Sequence, residues 1–348
     1  MALRIRQASA IALACVIPAC SAASGGTRPS TPPRHFKASA SNDNFEWFFL
    51  IMDEAMAQGI WAKHGLDPEI VQTAGSAVQL KERVDSGIRI GLVNTAEVLL
   101  ARSKGTPVKV IAGYFGETSA KIYVNADGAL RQPKQLDGKR VGILATTHTS
   151  YRSVLYVNKK LGVKAEPVPL GNLANNLAAL KSGSIDAFYS AEGAAAALVD
   201  SGELRVLVPL ADIYPKPYTA VVIWATDDLI RDDAGLVGAF VQATLESVKY
   251  VKENPAHAAD LLGTKKNVPK AVAARIVTEL NKVLVPSGRG SGQDLAAAVV
   301  GNWRFTQESG AVPPETTIDV NDAVDARFLP EDGGERGHKG QSPDSIGK

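Results

Sequence analysis

Short apolar runs alternate along most of the chain with segments whose apolar residues recur at helical spacing. The runs include KVIAG, RVGIL, IDAFY and RVLVP, and turn residues bound each of them, as is typical of buried strands. Segments such as LANNLAALKSG lie between the runs and carry apolar positions three and four residues apart, which indicates helices. This alternation predicts an α/β fold with largely parallel sheets.

Two stretches of the chain, residues 61–105 and 157–202, repeat the same order of predicted elements. Each has the end of a helix, a strand, a helix that stops at a glycine (Gly87 or Gly183), a second strand and a further helix. A solenoid needs at least three repeats, so two copies instead predict two similar lobes, each with its own sheet.

The second strand of each copy ends in nearly the same three residues, TAE at Thr95–Glu97 and SAE at Ser190–Glu192. Ligands of such sheets bind beyond the carboxyl ends of the strands. We therefore expect the two motifs to face each other across a cleft between the lobes.

The last third of the body is predicted to be helical. One amphipathic segment stops at Asn254, a second begins at Pro269, and a third closes at Gly310. We expect these helices to pack on the first lobe.

Composition narrows the function classes. The 348 residues are 45% hydrophobic and 21% charged, which is ordinary for a globular protein, and the formal net charge is +2. No basic cluster stands out, so neither nucleic acid nor an anionic membrane surface is an expected partner. The cysteines are Cys15 and Cys20, near the amino terminus, so the body has no disulfide, thiolate site or cysteine nucleophile. Without a histidine cluster, no metal or cofactor is expected.

The first 23 residues are typical of a secretory signal, with a basic start, a short apolar run and small residues after it. The sequence IPAC resembles a bacterial lipobox, so lipidation of Cys20 and simple cleavage near Ala22 or Ala23 are both open. Residues 24–35 are rich in proline, serine and glycine and predict a flexible tether. Residues 331–348 predict a disordered tail.

Several phrases, in their order and spacing, resemble one known family. They are AQGIWAKHGLDPEIV, LKERVDSGIRIGLVNTAEVLLARSKGTPVKVIAG, QPKQLDGKRVGI, NLAALKSGSIDAFYSAEG, VGAFVQATLESVKYVKENPAHAADLL and VDARFLP. Together they cover most of residues 36–330, and they resemble the periplasmic substrate-binding proteins of nitrate, sulfonate and taurine ABC importers, including the thiamine-precursor binders.

The resemblance implies a periplasmic-binding-protein type II fold, in which two α/β lobes joined by two crossovers close on a ligand. The first lobe would comprise residues 36–124 and 219–330 and the second residues 125–218, with crossovers near Val124 and Tyr218. It also implies a monomer in the periplasm or cell envelope that hands a small-molecule ligand to an ABC permease and its ATPase. A lipid anchor would be its one link to the membrane.

Loops after the predicted strands supply the candidate ligand-binding residues. They are Asp43, Asn44, Phe45, Thr95, Glu97, Tyr114, Phe115, Thr146, Thr147, His148, Thr149, Tyr189, Glu192 and Tyr218. The first three match the first ligand loop of the family, and Glu192 matches its acidic residue after the second-lobe strand.

Each group in this set has an ordinary structural explanation beside the functional one. The hydroxyls of TTHTS at a helix start suit a bound anion, but capping by Thr149 or Ser150 explains them equally. Carboxylates at Glu97 and Glu192 suit an amine or N–H donor, but they also suit the first turn of any helix. The aromatic residues suit a planar ligand, and each is as readily explained as core.

The loops hold several carboxylates, including Glu117, whereas the nearby cations are Arg152 and Lys121. This balance favours a neutral or cationic, heteroaromatic ligand over a dianion. A sulfonate at TTHTS and a zwitterion remain alternatives. An enzyme is disfavoured, because the related desulfinases need a cysteine nucleophile and the pyrimidine synthases a cysteine-rich motif. A solute sensor for a signalling partner has the same sequence features.

Overall fold

The computed structural model describes residues 32–41, 46–73, 77–191, 193–292 and 294–330. The predicted signal segment with Cys20, most of the tether and the predicted tail lie outside this part of the chain. One boundary differs from expectation. The first strand, β1, already begins at Arg34, where Arg34 pairs with Leu66 and His35 with Asp67. The ordered fold therefore starts inside the segment predicted to be a tether.

The first sheet has the strand order β2-β1-β3-β10-β4. Its strands are β1 (Arg34–Ser41), β2 (Leu66–Thr73), β3 (Ile90–Asn94), β4 (Val108–Phe115) and β10 (Val221–Thr226). Strand β1 is parallel to β2 and β3, whereas β10 is antiparallel to β3 and β4. This sheet and its helices form the first lobe.

The second sheet repeats the arrangement, with the order β7-β6-β8-β5-β9. Its strands are β5 (Lys121–Asn125), β6 (Arg140–Ile143), β7 (Glu166–Pro169), β8 (Ala187–Ser190) and β9 (Leu204–Pro209). Strand β6 is parallel to β7 and β8, and β5 is antiparallel to β8 and β9. This sheet and its helices form the second lobe.

Both sheets are mixed, so the prediction of largely parallel sheets is only half right. In each sheet the antiparallel pairs are those made by the strand that enters from the other lobe. Strands β5 and β10 start at the lobe junction and run away from it, whereas β3, β4 and β8 end there. A strand that arrives through a crossover must run against the strands that lead towards it.

The two crossovers lie at 116–120 and 210–220. The second contains Tyr218. The first comes earlier than the expected position at Val124, because Val124 lies inside β5 and pairs with Arg205 of the second sheet.

Helices cover both faces of each sheet. They are α1 (Glu46–Ala57), α2 (Ile60–Lys63), α3 (Ala77–Asp85), α4 (Thr95–Ser103), α5 (Thr149–Leu161), α6 (Leu173–Lys181), α7 (Gly193–Asp200), α8 (Asp227–Asp232), α9 (Ala234–Glu253), α10 (Pro255–Lys266), α11 (Lys270–Val283), α12 (Leu295–Glu308) and α13 (Val320–Ala323). No helix among the described residues is long and apolar enough to cross a bilayer.

The sequence repeat corresponds to a structural repeat. The order β2-α3-β3-α4 in the first lobe returns as β7-α6-β8-α7 in the second. Gly87 and Gly183 each follow the helix of their copy with φ angles of 87° and 73°, a left-handed conformation in which glycine lacks the strain of a Cβ atom. The glycines therefore end the two helices at equivalent places.

The carboxyl-terminal helices do more than pack on the first lobe. Helix α9 does so, and its Phe240 stacks on Trp61 with ring centroids 5.3 Å apart. Helix α12 also reaches the second lobe, where Phe305 lies 5.1 Å from the ring of Tyr156. Helix α11 contacts α7 of the second lobe, and a Cβ atom on Gly193 would lie 2.5 Å from the Cα atom of Ile276. Both helices therefore join the lobes.

Candidate functional site

A cavity of about 50 Å³ lies between the two sheets, next to both crossovers. Residues of both lobes, both crossovers and α12 line it. They are Asn94, Ala96, Phe115, Glu117, Thr118, Ser119, His148, Thr149, Tyr189, Ala191, Tyr218, Ala220, Val221, Asn302 and Phe305. We call this space the inner pocket.

The repeated motifs meet at the inner pocket. Asn94 and Ala96, on either side of Thr95, line it from the first lobe, and Tyr189 and Ala191, on either side of Ser190, line it from the second. The strand ends of the two copies therefore share one cavity, as the repeat predicts.

Aromatic rings form much of the wall of the inner pocket. Tyr218 meets Phe305 edge-on at 6.2 Å, and behind the wall the buried Tyr214 stacks on Phe305 at 4.3 Å. His148 meets Tyr189 edge-on at 6.4 Å. Flat walls that meet at steep angles form a slot that suits a planar solute.

The buried tyrosines beside the pocket are neutral. Burial raises the pKa of both Tyr214 and Tyr218 well above the ordinary value for a phenol. The Tyr214 hydroxyl lies 2.6 Å from Ser153 Oγ. Tyr214 and Tyr218 are therefore phenols, not phenolates, and contribute ring faces and hydroxyl groups.

The start of α5 is capped from within the protein. The side chain of His148, not that of Thr149 or Ser150, is the cap, and its Nδ1 accepts the backbone N–H of Ser150 at 3.0 Å. Ser150 Oγ accepts the Leu144 N–H at 3.1 Å, and Thr149 Oγ1 accepts from Arg152 at 2.7 Å. The expected capping by Thr149 or Ser150 is therefore wrong. The Ser150 N–H is already bonded to His148, whereas the two hydroxyls act as acceptors in these bonds.

A wider cavity of about 880 Å³ adjoins the inner pocket. We call it the outer groove, and its lining includes Glu97, Thr146, Thr147, Tyr151 and Arg152 together with residues of α3 and 311–316. The two spaces are neighbours because Thr146 and Thr147 line the groove, whereas the next two residues, His148 and Thr149, line the pocket. In addition, Asn94 of the pocket donates to Glu97 of the groove at 3.0 Å.

The outer groove carries one buried charge from each lobe. Glu97 is 1% exposed and Arg152 is 5% exposed. Burial lowers the pKa of the Arg152 guanidinium, and the charge of Glu97 opposes this effect. The acidic field expected from sequence is therefore offset locally by an arginine, which the candidate set omitted.

A second carboxylate of the site is also compensated. Glu117 lines the inner pocket, and its Oε1 lies 2.8 Å from the Nζ of Lys216 in the other crossover. This pair connects the two crossovers. Among the described residues no group of three or more histidine, cysteine, aspartate and glutamate side chains could hold a metal ion.

The structure brings together most, but not all, of the candidate residues that it describes. Phe115, His148, Thr149, Tyr189 and Tyr218 line the inner pocket, and Glu97, Thr146 and Thr147 line the outer groove. Four other candidates lie outside the described residues: Asp43, Asn44, Phe45 and Glu192.

Two candidates line neither cavity. The Thr95 hydroxyl donates to the Thr219 carbonyl at 2.8 Å, so it ties the first lobe to the crossover. Tyr114 is 0% exposed and lies in the core of the first lobe, with its ring edge-on to Phe115. Neighbouring residues of a strand point to opposite faces, so only one of this pair can face the pocket.

Sequence reasoning missed Asn94, Asn302 and Phe305. The latter two lie three residues apart and so share one face of α12. The sequence signal for Asn302 was a polar residue on an otherwise apolar face of a helix. This signal was missed because the helix was expected to pack on the first lobe alone.

Residues 49–258 match the family described as NMT1/THI5 like. The chain belongs to this family. The match confirms the resemblance stated from sequence, and it covers both repeats and the whole second lobe. A protein that binds a small solute is the function that this membership supports.

Individual proteins give the same picture. The chain is 23% identical over 252 residues to the formylaminopyrimidine-binding protein of Halalkalibacterium halodurans, covering 69% of this chain and 75% of that protein. Its fold is similar to the alkanesulfonate-binding protein SsuA of Xanthomonas axonopodis pv. citri bound to MOPS, with a TM-score of 0.68, 17% identity, and coverage of 85% and 100%. The aliphatic sulphonate binding protein SsuA of Escherichia coli has a TM-score of 0.68, 15% identity, and coverage of 91% and 97%. These likenesses confirm the two-lobed periplasmic-binding-protein fold.

Proposed function

We propose that this NMT1/THI5-like protein is the extracytoplasmic solute-binding component of an ABC importer. It captures a small nitrogen-bearing heteroaromatic solute between its lobes and delivers it to a permease and its ATPase. The observation that carries the proposal is the inner pocket, which residues of both lobes, both crossovers and α12 line and whose wall includes the rings of Phe115, Tyr189, Tyr218 and Phe305.

The pocket wall supports a planar ring as the recognised group. Phe305, Tyr218 and Tyr189 offer ring faces and edges, and aromatic pairs are worth about 0.5–1.5 kcal/mol beyond the area that they bury. The name of the Halalkalibacterium halodurans relative points to the same class of ligand.

The charges support a neutral or cationic solute. The charge of Glu97 is offset by that of Arg152, and Glu117 is paired with Lys216. The described lining of the inner pocket has no unpaired cation, so it does not favour a dianion. Arg152 and the hydroxyls of Thr146 and Thr147 in the outer groove suit a single acidic arm. A sulfonate or zwitterion is therefore the alternative ligand.

Solute entry requires the lobes to separate. At about 50 Å³ the inner pocket has space for a few water molecules, since each needs about 10–15 Å³ by the same measure. In the proposed cycle the solute enters an open form, and closure about the two crossovers removes water and strengthens the hydrogen bonds around it.

Binding without chemical conversion is part of the proposal. The cysteines of the chain are Cys15 and Cys20, both within the predicted signal segment. A desulfinase-like reaction would lack its nucleophile once that segment is removed. The same segment supports export from the cytoplasm, with Cys20 either lipidated or lost on cleavage.

A thermal-shift screen of the protein without its first 23 residues tests the proposal. The panel contains aminopyrimidines, other heteroaromatic amines, alkanesulfonates and taurine. A true ligand at 100 times its Kd should stabilise the protein by about 2.7 kcal/mol, and mass spectrometry should return it unchanged. Conversion into product would establish an enzyme instead, and a response to sulfonates alone would overturn the heteroaromatic class.

Paired variants show whether the ligand uses the pocket. Phe305→Leu removes a ring from the wall, whereas Phe188→Leu removes an equally buried ring that stacks on Tyr123 in the second lobe. We expect Phe305→Leu to weaken binding by roughly 1 kcal/mol, about fivefold, and Phe188→Leu to lower stability alone. Equal affinity losses would place the ligand elsewhere.

A further inference from the structure

Asn302 stands out in the inner pocket because half of its amide is bonded and half is not. Its side chain is 2% exposed, and its Nδ2 donates to the Thr219 carbonyl at 2.8 Å. Its Oδ1 is buried and has no hydrogen-bond partner among the residues that the structure describes. The residue lines the inner pocket beside the rings of Tyr218 and Phe305.

The orientation of this amide is fixed. The Thr219 carbonyl accepts from both Asn302 Nδ2 and the Thr95 hydroxyl, each at 2.8 Å. A rotated amide would place oxygen against a carbonyl oxygen and lose one of these bonds. The amide nitrogen therefore belongs at Thr219, and the oxygen is a pure acceptor.

The helix that carries Asn302 is also held in place. A Cβ atom on Gly301 would lie 1.8 Å from the carbonyl oxygen of Pro217, so α12 packs directly against the second crossover. Because the backbone of Gly301 contacts the backbone of Pro217, helix α12 has little freedom to turn Asn302 away from the pocket.

We infer that Asn302 is a specificity-determining residue that accepts a hydrogen bond from an N–H donor of the bound ring. The inference rests on the proposed function and narrows its ligand to heteroaromatic compounds with an exocyclic amino group or a ring N–H. A buried acceptor selects strongly for a donor, because a ligand without one leaves the oxygen unpaired.

A second asparagine of the chain provides the matched control. Asn176 is 1% exposed, its Nδ2 donates to the Asn172 carbonyl at 2.7 Å, and its Oδ1 also lacks a partner among the described residues. That oxygen packs against Gly142, where an added Cβ atom would lie 2.0 Å from it. Asn176 lines neither the inner pocket nor the outer groove.

The experiment compares two ring probes, 4-aminopyrimidine and 4-methylpyrimidine, by isothermal titration of the wild type, Asn302→Leu and Asn176→Leu. The wild type should bind the amino compound about tenfold more tightly than the methyl compound. Asn302→Leu should reduce this ratio to about one, and Asn176→Leu should keep it. Circular dichroism confirms that each variant is folded.

The outcomes separate this inference from the proposed function. If the wild type binds both probes equally, the role of Asn302 is overturned while heteroaromatic binding stands. If it binds neither, the heteroaromatic class itself is overturned. An unchanged ratio in Asn302→Leu would also reject the role, and equal wild-type affinities for the two probes would reject it even if that variant does not fold.

Discussion

An ion cluster around the buried Glu279 joins the lobes on the α7 and α11 side of the molecule. Glu279 of α11 accepts from Lys121 of the second sheet at 2.7 Å, and Lys282 and Arg275 lie 2.5 and 3.0 Å from its other oxygen. Arg275 also lies 2.7 Å from Asp200 at the end of α7. We expect Glu279→Gln to weaken the contact between the lobes.

The size of the effect follows from burial. The Glu279 side chain is 5% exposed, and removal of one partner from a buried ion pair costs about 3–5 kcal/mol. Lys121 and Arg275 are 22% and 27% exposed and regain water when unpaired, so we expect about 2 kcal/mol. For a chain of this size the Tm should fall by about 4 °C.

The loss should depend on pH. Burial alone raises the pKa of Glu279, but the hydrogen bonds from Lys121 and Lys282 outweigh it and hold the pKa below its ordinary value of 4.5. A carboxyl with a lowered folded-state pKa contributes stability above the unfolded-state value and loses it as the pH falls. The Tm difference between wild type and Glu279→Gln should therefore be full at pH 7 and shrink below about pH 4.5.

Glu246→Gln is the matched control, because Glu246 binds Lys63 at 2.7 Å and His64 at 2.8 Å within the first lobe alone. Both variants should lose stability in thermal denaturation. Only Glu279→Gln should increase the radius of gyration by X-ray scattering and weaken 4-aminopyrimidine binding, by up to about 30-fold if the contact forms only on closure. Unchanged dimensions and affinity in Glu279→Gln would refute this account of closure.

Three further substitutions test the packing around the site. Gly301→Ala should lower the stability measured in a thermal melt by about 3 kcal/mol, because the added Cβ atom would overlap the Pro217 carbonyl. An unaltered Tm would contradict the close contact between α12 and the second crossover. Tyr114→Phe should leave the Tm unchanged or raise stability by about 1 kcal/mol, since the buried hydroxyl has no hydrogen-bond partner among the described residues. A clear loss of stability would contradict this and indicate that the hydroxyl is hydrogen-bonded. The stability losses of Arg152→Met and Glu97→Gln should be non-additive by about 1–3 kcal/mol in a double-mutant cycle. Additive losses would show that the two charges do not interact.

The order of elements was largely predictable from sequence because the deciding interactions are local. Periodicity identified strands and helices, and the stops at Gly87 and Gly183 reflect the left-handed geometry that glycine tolerates. The repeat then predicted two lobes and a shared cleft, because equivalent strands end at equivalent edges. The start of β1 at Arg34 and the crossover before Lys121 were misplaced, since boundaries depend on pairing with distant strands.

The site was predictable only as far as strand ends define it. Phe115, His148 and Tyr189 follow or end strands and line the inner pocket. Tyr114 ends the same strand as Phe115 but faces the core, a choice that depends on how the helices cover the sheet. Asn302 comes from a helix almost two hundred residues from the first repeat, and no local pattern connects it with the cleft.

By itself the sequence determined the α/β class, the duplicated lobes and the strand ends that meet at the inner pocket, because hydrophobic periodicity and glycine stops act over a few residues. The tertiary structure alone decided which side chains of those loops face the cavity, which charges compensate each other and which helix completes the wall. Those outcomes depend on contacts such as Asn302 with Thr219 and Glu279 with Lys121, which form between residues far apart in the chain.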